Sequence, residues 1–154
     1  MTGRRTIKFD SADEVIADVQ NLRSAPYSRV GNWSLELACW HLNFVLNYLM
    51  SPGPHPVPNT PPEARENLKR ILAGEQIPNG IRSPDRAVPP NDCGTQAIDE
   101  FIGTLRRFKT FEGPFAPHRL FGSLALEEGR RLTLSHSAHH LSFLVPASIS
   151  KPTA

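Results

Sequence analysis

Apolar residues recur at helical spacing in four long stretches of the chain, and in no stretch do they alternate as a half-buried strand requires. The first stretch opens on Ser11-Ala12-Asp13-Glu14, which has the form of a capping box. Val15, Val19 and Leu22 follow on one face, with Asp13, Asp18 and Arg23 on the other, and Pro26 closes the helix. Thr6 to Phe9 reads as a short extended arm before it. The second stretch starts at Gly31-Asn32-Trp33-Ser34, with Ser34 as N-cap. Leu37, His41, Phe44, Val45 and Tyr48 form its stripe, and Ser51-Pro52-Gly53-Pro54 stops it. A third helix, capped by Asn91 or Asp92, carries Ala97, Ile98, Phe101, Ile102, Leu105 and Phe108. Arg106, Arg107 and Lys109 lie near its carboxyl end, where positive charge is favoured. The last helix spans 124–145 and ends at Pro146.

These segments predict an all-α fold: a four-helix bundle with an extra short helix at 63–73, led by Pro62, and a long proline-rich connection. Of the 15 prolines, six fall between Pro52 and Pro62, which marks a connection rather than general disorder. Residues 74–90 show no periodicity and read as an ordered loop draped over the bundle, at the mouth of any site it holds. Residues 1–154 form one domain, with loose ends at 1–8 and 147–154.

Composition narrows the functional classes. Lys and Arg total 17 against 15 for Asp and Glu, a net charge of +2, with no basic run interleaved with aromatics. Nucleic acid is therefore not an expected partner. The longest apolar run, 44–50, is interrupted by Asn47 and too short to cross a bilayer. The first ten residues lack the apolar core of a signal peptide. Cys39 and Cys93 make no metal-ligand spacing with each other and read as free thiols of a cytoplasmic protein.

Histidine is the informative residue. Ser135-His136-Ser137-Ala138-His139-His140 holds three of the six histidines on the last helix. His136 and His140 are one turn apart, roughly 6 Å along the axis and about 40° around it, so both rings project toward one point. A helix offers two nitrogen ligands to a metal in this way, and a third is needed. His41, on the apolar stripe of the second helix, is the best candidate. A lone histidine on such a stripe is more often a satisfied core residue. Three buried imidazoles used as filler would leave several nitrogens needing partners, at roughly 1–3 kcal/mol each, and a bound cation removes that cost. His139, at i+3 from His136, is an alternative to His140 or a support for it. His55 and His118 lie in proline-rich loops and read as surface residues, with His118 within reach of the site's mouth. Ser137 stands where the general-base glutamate of a zinc protease would be, which excludes that class. There is no G-x-S-x-G elbow and no phosphate-binding glycine loop.

One histidine in the second helix and a pair four apart in the last resembles the DinB/YfiT-like superfamily. Asn32-Trp33-Ser34 with Trp40-His41-Leu42 more closely resembles an uncharacterised branch of it. Ile77-Pro78-Asn79-Gly80, Phe121-Gly122-Ser123-Leu124 and His136 followed by His139-His140-Leu141 extend the likeness over nearly the whole chain. The resemblance implies a four-helix bundle, a divalent metal (nickel or zinc) on His41, His136 and His140, and homodimers. It also implies a metal-dependent enzyme acting on a small molecule, of the thiol-dependent transferase or isomerase kind, with a low-molecular-weight thiol as partner. Metal-dependent hydrolysis on the same ligands is the second reading, and a non-catalytic metal- or ligand-binding module the third. Two positions depart from the family pattern: Gly129, where a bulky aromatic is expected, and Ser142, where a longer polar side chain is expected.

Overall fold

The structure is a computed structural model that describes residues 3–77 and 84–147. Five helices and two short strands are set in the order α1 (Ala12–Ser24), β1 (Tyr27–Arg29), α2 (Leu35–Met50), α3 (Ala64–Leu72), α4 (Gln96–Lys109), α5 (Leu126–Leu141) and β2 (Leu144–Pro146). The architecture is helical, and the expected absence of strands is corrected by one small antiparallel pair. Tyr27 faces Pro146, Ser28 faces Val145 and Arg29 faces Leu144. The last helix therefore ends at Leu141, short of the expected 145. Val145 is β-branched and Phe143 aromatic, and the backbone of this segment bonds better to residues 26–30 than to another helical turn. Val30 N donates to Phe143 O at 2.8 Å and Ala147 N to Pro26 O at 2.9 Å.

α1 begins as its capping box dictates. Ser11 Oγ accepts from Glu14 N at 3.2 Å, while Glu14 Oε1 accepts from Asp10 N, one residue earlier than the standard pattern. Ser34 Oγ accepts from Leu37 N at 3.3 Å, and Tyr27 Oη accepts the Leu35 amide at 2.9 Å, so β1 helps to fix the start of α2. α4 starts at Gln96 with Thr95 as its N-cap, in place of the expected Asn91 or Asp92, and the flexible Gly94 lies between them.

α2 packs most extensively on α4 and also against α5, while α1 packs mainly on α4 and α5. Val15, Val19 and Leu22 of α1, Leu42 and Leu46 of α2, and Phe101 and Leu105 of α4 form the main core. All six apolar residues predicted for α4 are buried. On α2 the outcome is more particular. The face that enters the core is Leu35, Ala38, Cys39, Leu42, Leu46 and Leu49, whereas Phe44, Val45 and Tyr48 of the predicted stripe are only half-buried. That stripe instead walls a cavity, with His41 at one end of it. A smaller cluster of Leu68, Ile71, Phe121 and Leu132 closes the far side.

The amino-terminal arm is tied to the carboxyl end of α5. Arg5 makes two 2.9 Å bonds to Asp18 and a third to Leu141 O, and Arg5 N donates to Ser142 O at 2.7 Å. Asp18, expected to face away from the core, is largely buried in this ion pair. Of the ends expected to be loose, residues 1–2 and 148–154 lie outside the described residues, as do Pro78, Asn79 and Gly80. Gly129 is accounted for by Phe115, whose buried ring occupies the space a Cβ at 129 would need. The aromatic bulk missing from the helix is supplied by the loop before it.

Gly129→Ala should therefore lower stability by about 1–3 kcal/mol through overpacking, against the usual helix-propensity gain. Gly103→Ala on the exposed side of α4, where a Cβ meets nothing within 4 Å, should raise it by about 1 kcal/mol. Urea midpoints of the two variants check both signs.

Candidate metal centre

α2 and α5 bring His41, His136 and His140 together across 95 positions of sequence. Their ligand nitrogens lie within 4.8 Å of one another. His136 Nε2 is 3.3 Å from His41 Nε2 and 3.1 Å from His140 Nε2. The Ala87 carbonyl lies 2.7 Å from His41 Nδ1 and can only accept, so His41 carries its proton there and turns the bare Nε2 toward the other two rings. That carbonyl comes from a single 3-10 turn, Asp85–Ala87, in the loop the sequence placed over the site. A backbone oxygen on the far nitrogen is the usual means of fixing the tautomer and ring plane of a metal-binding histidine. Trp33 completes the cage, its ring centroid 5.0 Å from His41 and 5.2 Å from His140.

Burial dominates the electrostatics of the cluster. It holds His136 and His140 well below the ordinary imidazole value, with their histidine neighbours adding to the effect. His41 is lowered by burial against the opposing bond to Ala87. All three are neutral at pH 7, the form in which imidazole donates a lone pair. Three neutral nitrogens converging from two helices, one with its tautomer fixed, suit a divalent transition-metal ion. The residues present fit such an ion, and no fourth His, Cys, Asp or Glu among the described residues joins the cluster.

His139 does not converge with the triad. Arg4 Nη2 donates to its Nδ1 at 2.9 Å, and its ring packs edge-on against Phe143 at 5.4 Å. Burial and the nearby Arg4 charge lower its pKa to about 4. Arg4 Nε also donates to Ser142 Oγ at 2.9 Å, so the N-terminal arm fills the space left by the short side chain at 142. His55 sits against Tyr48 at the end of α2, with its Nε2 3.2 Å from Ser51 O.

His118 is not the surface residue expected: it lines a cavity of about 160 Å³ beside the triad. Leu120 N donates to its Nδ1 at 3.0 Å, and its ring stacks on Phe121 at 4.9 Å. Burial, then the Arg119 charge, lowers its pKa to about 4. Leu42, Leu46, Phe101 and Leu132 supply apolar wall, and exposed Arg86 and Arg119 stand at its rim. The sequence also missed Arg4, Trp33, Thr133 and the Ala87 carbonyl. Trp33 carried a signal in its place before the Ser34 cap; a backbone carbonyl carries none. Cys39 and Cys93 are free, as expected, and burial raises both thiols, which weakens them as nucleophiles.

The site defines a helical protein with a histidine triad, His41 buried and His136 and His140 half-buried, that could hold a metal ion. A family model described as protein of unknown function DUF1569 matches residues 1–147, and the chain belongs to that family. No curated protein and no solved structure matches it significantly. No helix among the described residues is long and apolar enough to cross a membrane.

The lowered pKa of His118 makes stability pH-dependent. The unfolded chain takes up this proton near the ordinary value of 6.5, the folded chain only near 4, so the contribution is complete above 6.5 and is lost as pH falls toward 4. Chelated protein should show urea midpoints falling between pH 7 and pH 4.5. His118→Asn, which keeps an acceptor for the Leu120 amide, should flatten that slope in part.

Proposed function

We propose that His41, His136 and His140 bind one divalent cation, nickel or zinc, with at least one coordination position left open, and that the protein is a metal-dependent enzyme. The observation that carries this reading is the fixed His41 tautomer: the 2.7 Å contact with Ala87 commits its Nε2 lone pair to the point where the other two rings converge. Three protein nitrogens with an adjoining cavity are the arrangement of a catalytic site, whereas structural zinc sites close with four protein ligands. When bound, the cation supplies a Lewis acid that lowers the pKa of a thiol or water beside it. Around it the chain has separate tasks. Ala87 and Trp33 hold the imidazoles, the apolar cavity excludes water from a small substrate, and Arg4 keeps His139 out of the ligand set.

The resemblance to the DinB/YfiT-like superfamily favours thiol-dependent transfer or isomerisation with a low-molecular-weight thiol. In that reading α1, α2, α4 and α5 are the superfamily's four-helix bundle. α3 then lies outside the bundle and lines the cavity through Ile71. Homodimers would follow from the same likeness. Hydrolysis at the same ligands is the alternative, and activity that needs no thiol would favour it.

Metal-free protein titrated with zinc and with nickel should bind one equivalent and gain thermal stability, by about 2.7 kcal/mol at free metal a hundred times Kd. His41→Ala should lose that equivalent and that gain while retaining helical circular dichroism. Unchanged metal content in the variant would remove His41 from the site. With the metal in place, turnover of a haloaromatic electrophile that rises with added cysteine identifies a transferase.

A further inference from the structure

Among the polar side chains that line the cavity beside the triad, Thr133 and His118 carry hydrogen-bonding groups that the triad does not employ. Thr133 lies one turn before His136 on α5, about 4.5 Å along the axis. It is 6% exposed, and its Oγ1 has no hydrogen-bond partner among the described residues. A threonine inside a helix ordinarily relieves itself by bonding back to the carbonyl four residues earlier; this one does not. A buried hydroxyl left unpaired is unfavourable in the free protein, and a ligand atom in the cavity would pair it. The second group is His118. Because Leu120 N–H donates to Nδ1, the ring's own proton sits on Nε2 and makes the side chain a hydrogen-bond donor of fixed tautomer.

The remaining wall is mainly aliphatic and aromatic, and the volume of about 160 Å³ is roughly that of a cavity able to hold one benzene ring. A small ligand with an apolar body fits such a space, provided it brings a polar atom for the Thr133 hydroxyl. Next to a neutral imidazole N–H, that atom must accept. A carbonyl oxygen, with two lone pairs, takes a bond from each donor.

We propose that Thr133 and His118 form an anchor for the carbonyl oxygen of a small, largely apolar compound lying in the cavity against the histidine triad. The proposal rests on the cavity being the substrate site of the metal centre. It assigns the substrate class as ring-sized carbonyl compounds rather than extended or polyanionic ones. Thr133 is a specificity-determining residue in this account, exerting its effect on ligand choice rather than on metal binding.

The test uses benzamide and toluene, a matched pair with and without the carbonyl group, titrated into zinc-loaded and chelated protein by calorimetry. Benzamide should bind the wild type more tightly than toluene. Thr133→Val, which keeps the shape and removes the hydroxyl, should weaken benzamide by about ten-fold and leave toluene unchanged. Thr133→Ser should restore benzamide binding, and His118→Asn should weaken it. The same Thr133→Val variant should melt above the wild type when no ligand is present, because an unpaired buried hydroxyl has been removed. Equal affinity for the two probes, or unchanged benzamide affinity in Thr133→Val, overturns the proposal. Zinc titration of the wild type separates the two readings. Full zinc binding by the wild type with no preference for benzamide over toluene would overturn the anchor alone, and no zinc binding by the wild type would overturn the metal centre.

Discussion

Three neutral imidazoles are held with their Nε2 atoms 3.1 to 3.3 Å apart along His140, His136 and His41, and much of the rest of the molecule serves that convergence. Lone pairs brought this close repel unless a proton or a cation lies between them. Burial depresses the basicity of every ring and makes an extra proton costly, so the three imidazoles stay neutral. Each ring is also constrained from behind: His41 by Ala87 O, His140 by the Trp33 face, and the pair on α5 by helical spacing. Side chains arranged in advance lose little freedom when a ligand joins them.

That arrangement depends on α5 being set at a definite height against α2. Two contacts from outside the helix fix it. At its amino end, Phe115 inserts its ring where Gly129 has no side chain, so the helix can approach the loop closely. At its carboxyl end, Arg5 ties Leu141 O and Ser142 O to Asp18 of α1, while Arg4 bridges Ser142 and His139. The small residues at 129 and 142 are thus each packed by another segment: the Phe115 ring lies over Gly129, and Arg4 bonds to Ser142.

The polar character of the interior is distributed unevenly. Between α2 and α4, buried Thr104 donates to half-buried Asn43 Oδ1 at 2.5 Å, and within α2 Asn47 donates to the Asn43 carbonyl at 2.9 Å, so these polar groups are paired. On the cavity side Thr133 has no such partner. Natural interiors satisfy their hydroxyls where packing alone is at stake, and an exception beside a ligand-ready cluster is the place to look for a ligand.

Local information in the sequence was enough for the helices and for two of the three ligands as a pair. Ser11 and Ser34 cap the helices they precede, the apolar residues of α4 are all buried, and the four-residue spacing of His136 and His140 fixes their shared face. These outcomes follow from 3.6-residue periodicity and first-turn hydrogen bonding, which act over a few residues. Tertiary structure decided the rest. It turned the 144–146 segment into a strand because its partner, 27–29, lies more than a hundred residues away, and it made Phe44, Val45 and Tyr48 of the predicted α2 stripe a cavity wall. α2 is apolar on most sides, so its sequence could not tell core from cavity. Only the packed chain brought the Ala87 carbonyl to His41, turned His139 to Arg4 and moved His118 from surface to interior, since each contact joins segments whose proximity no local pattern encodes.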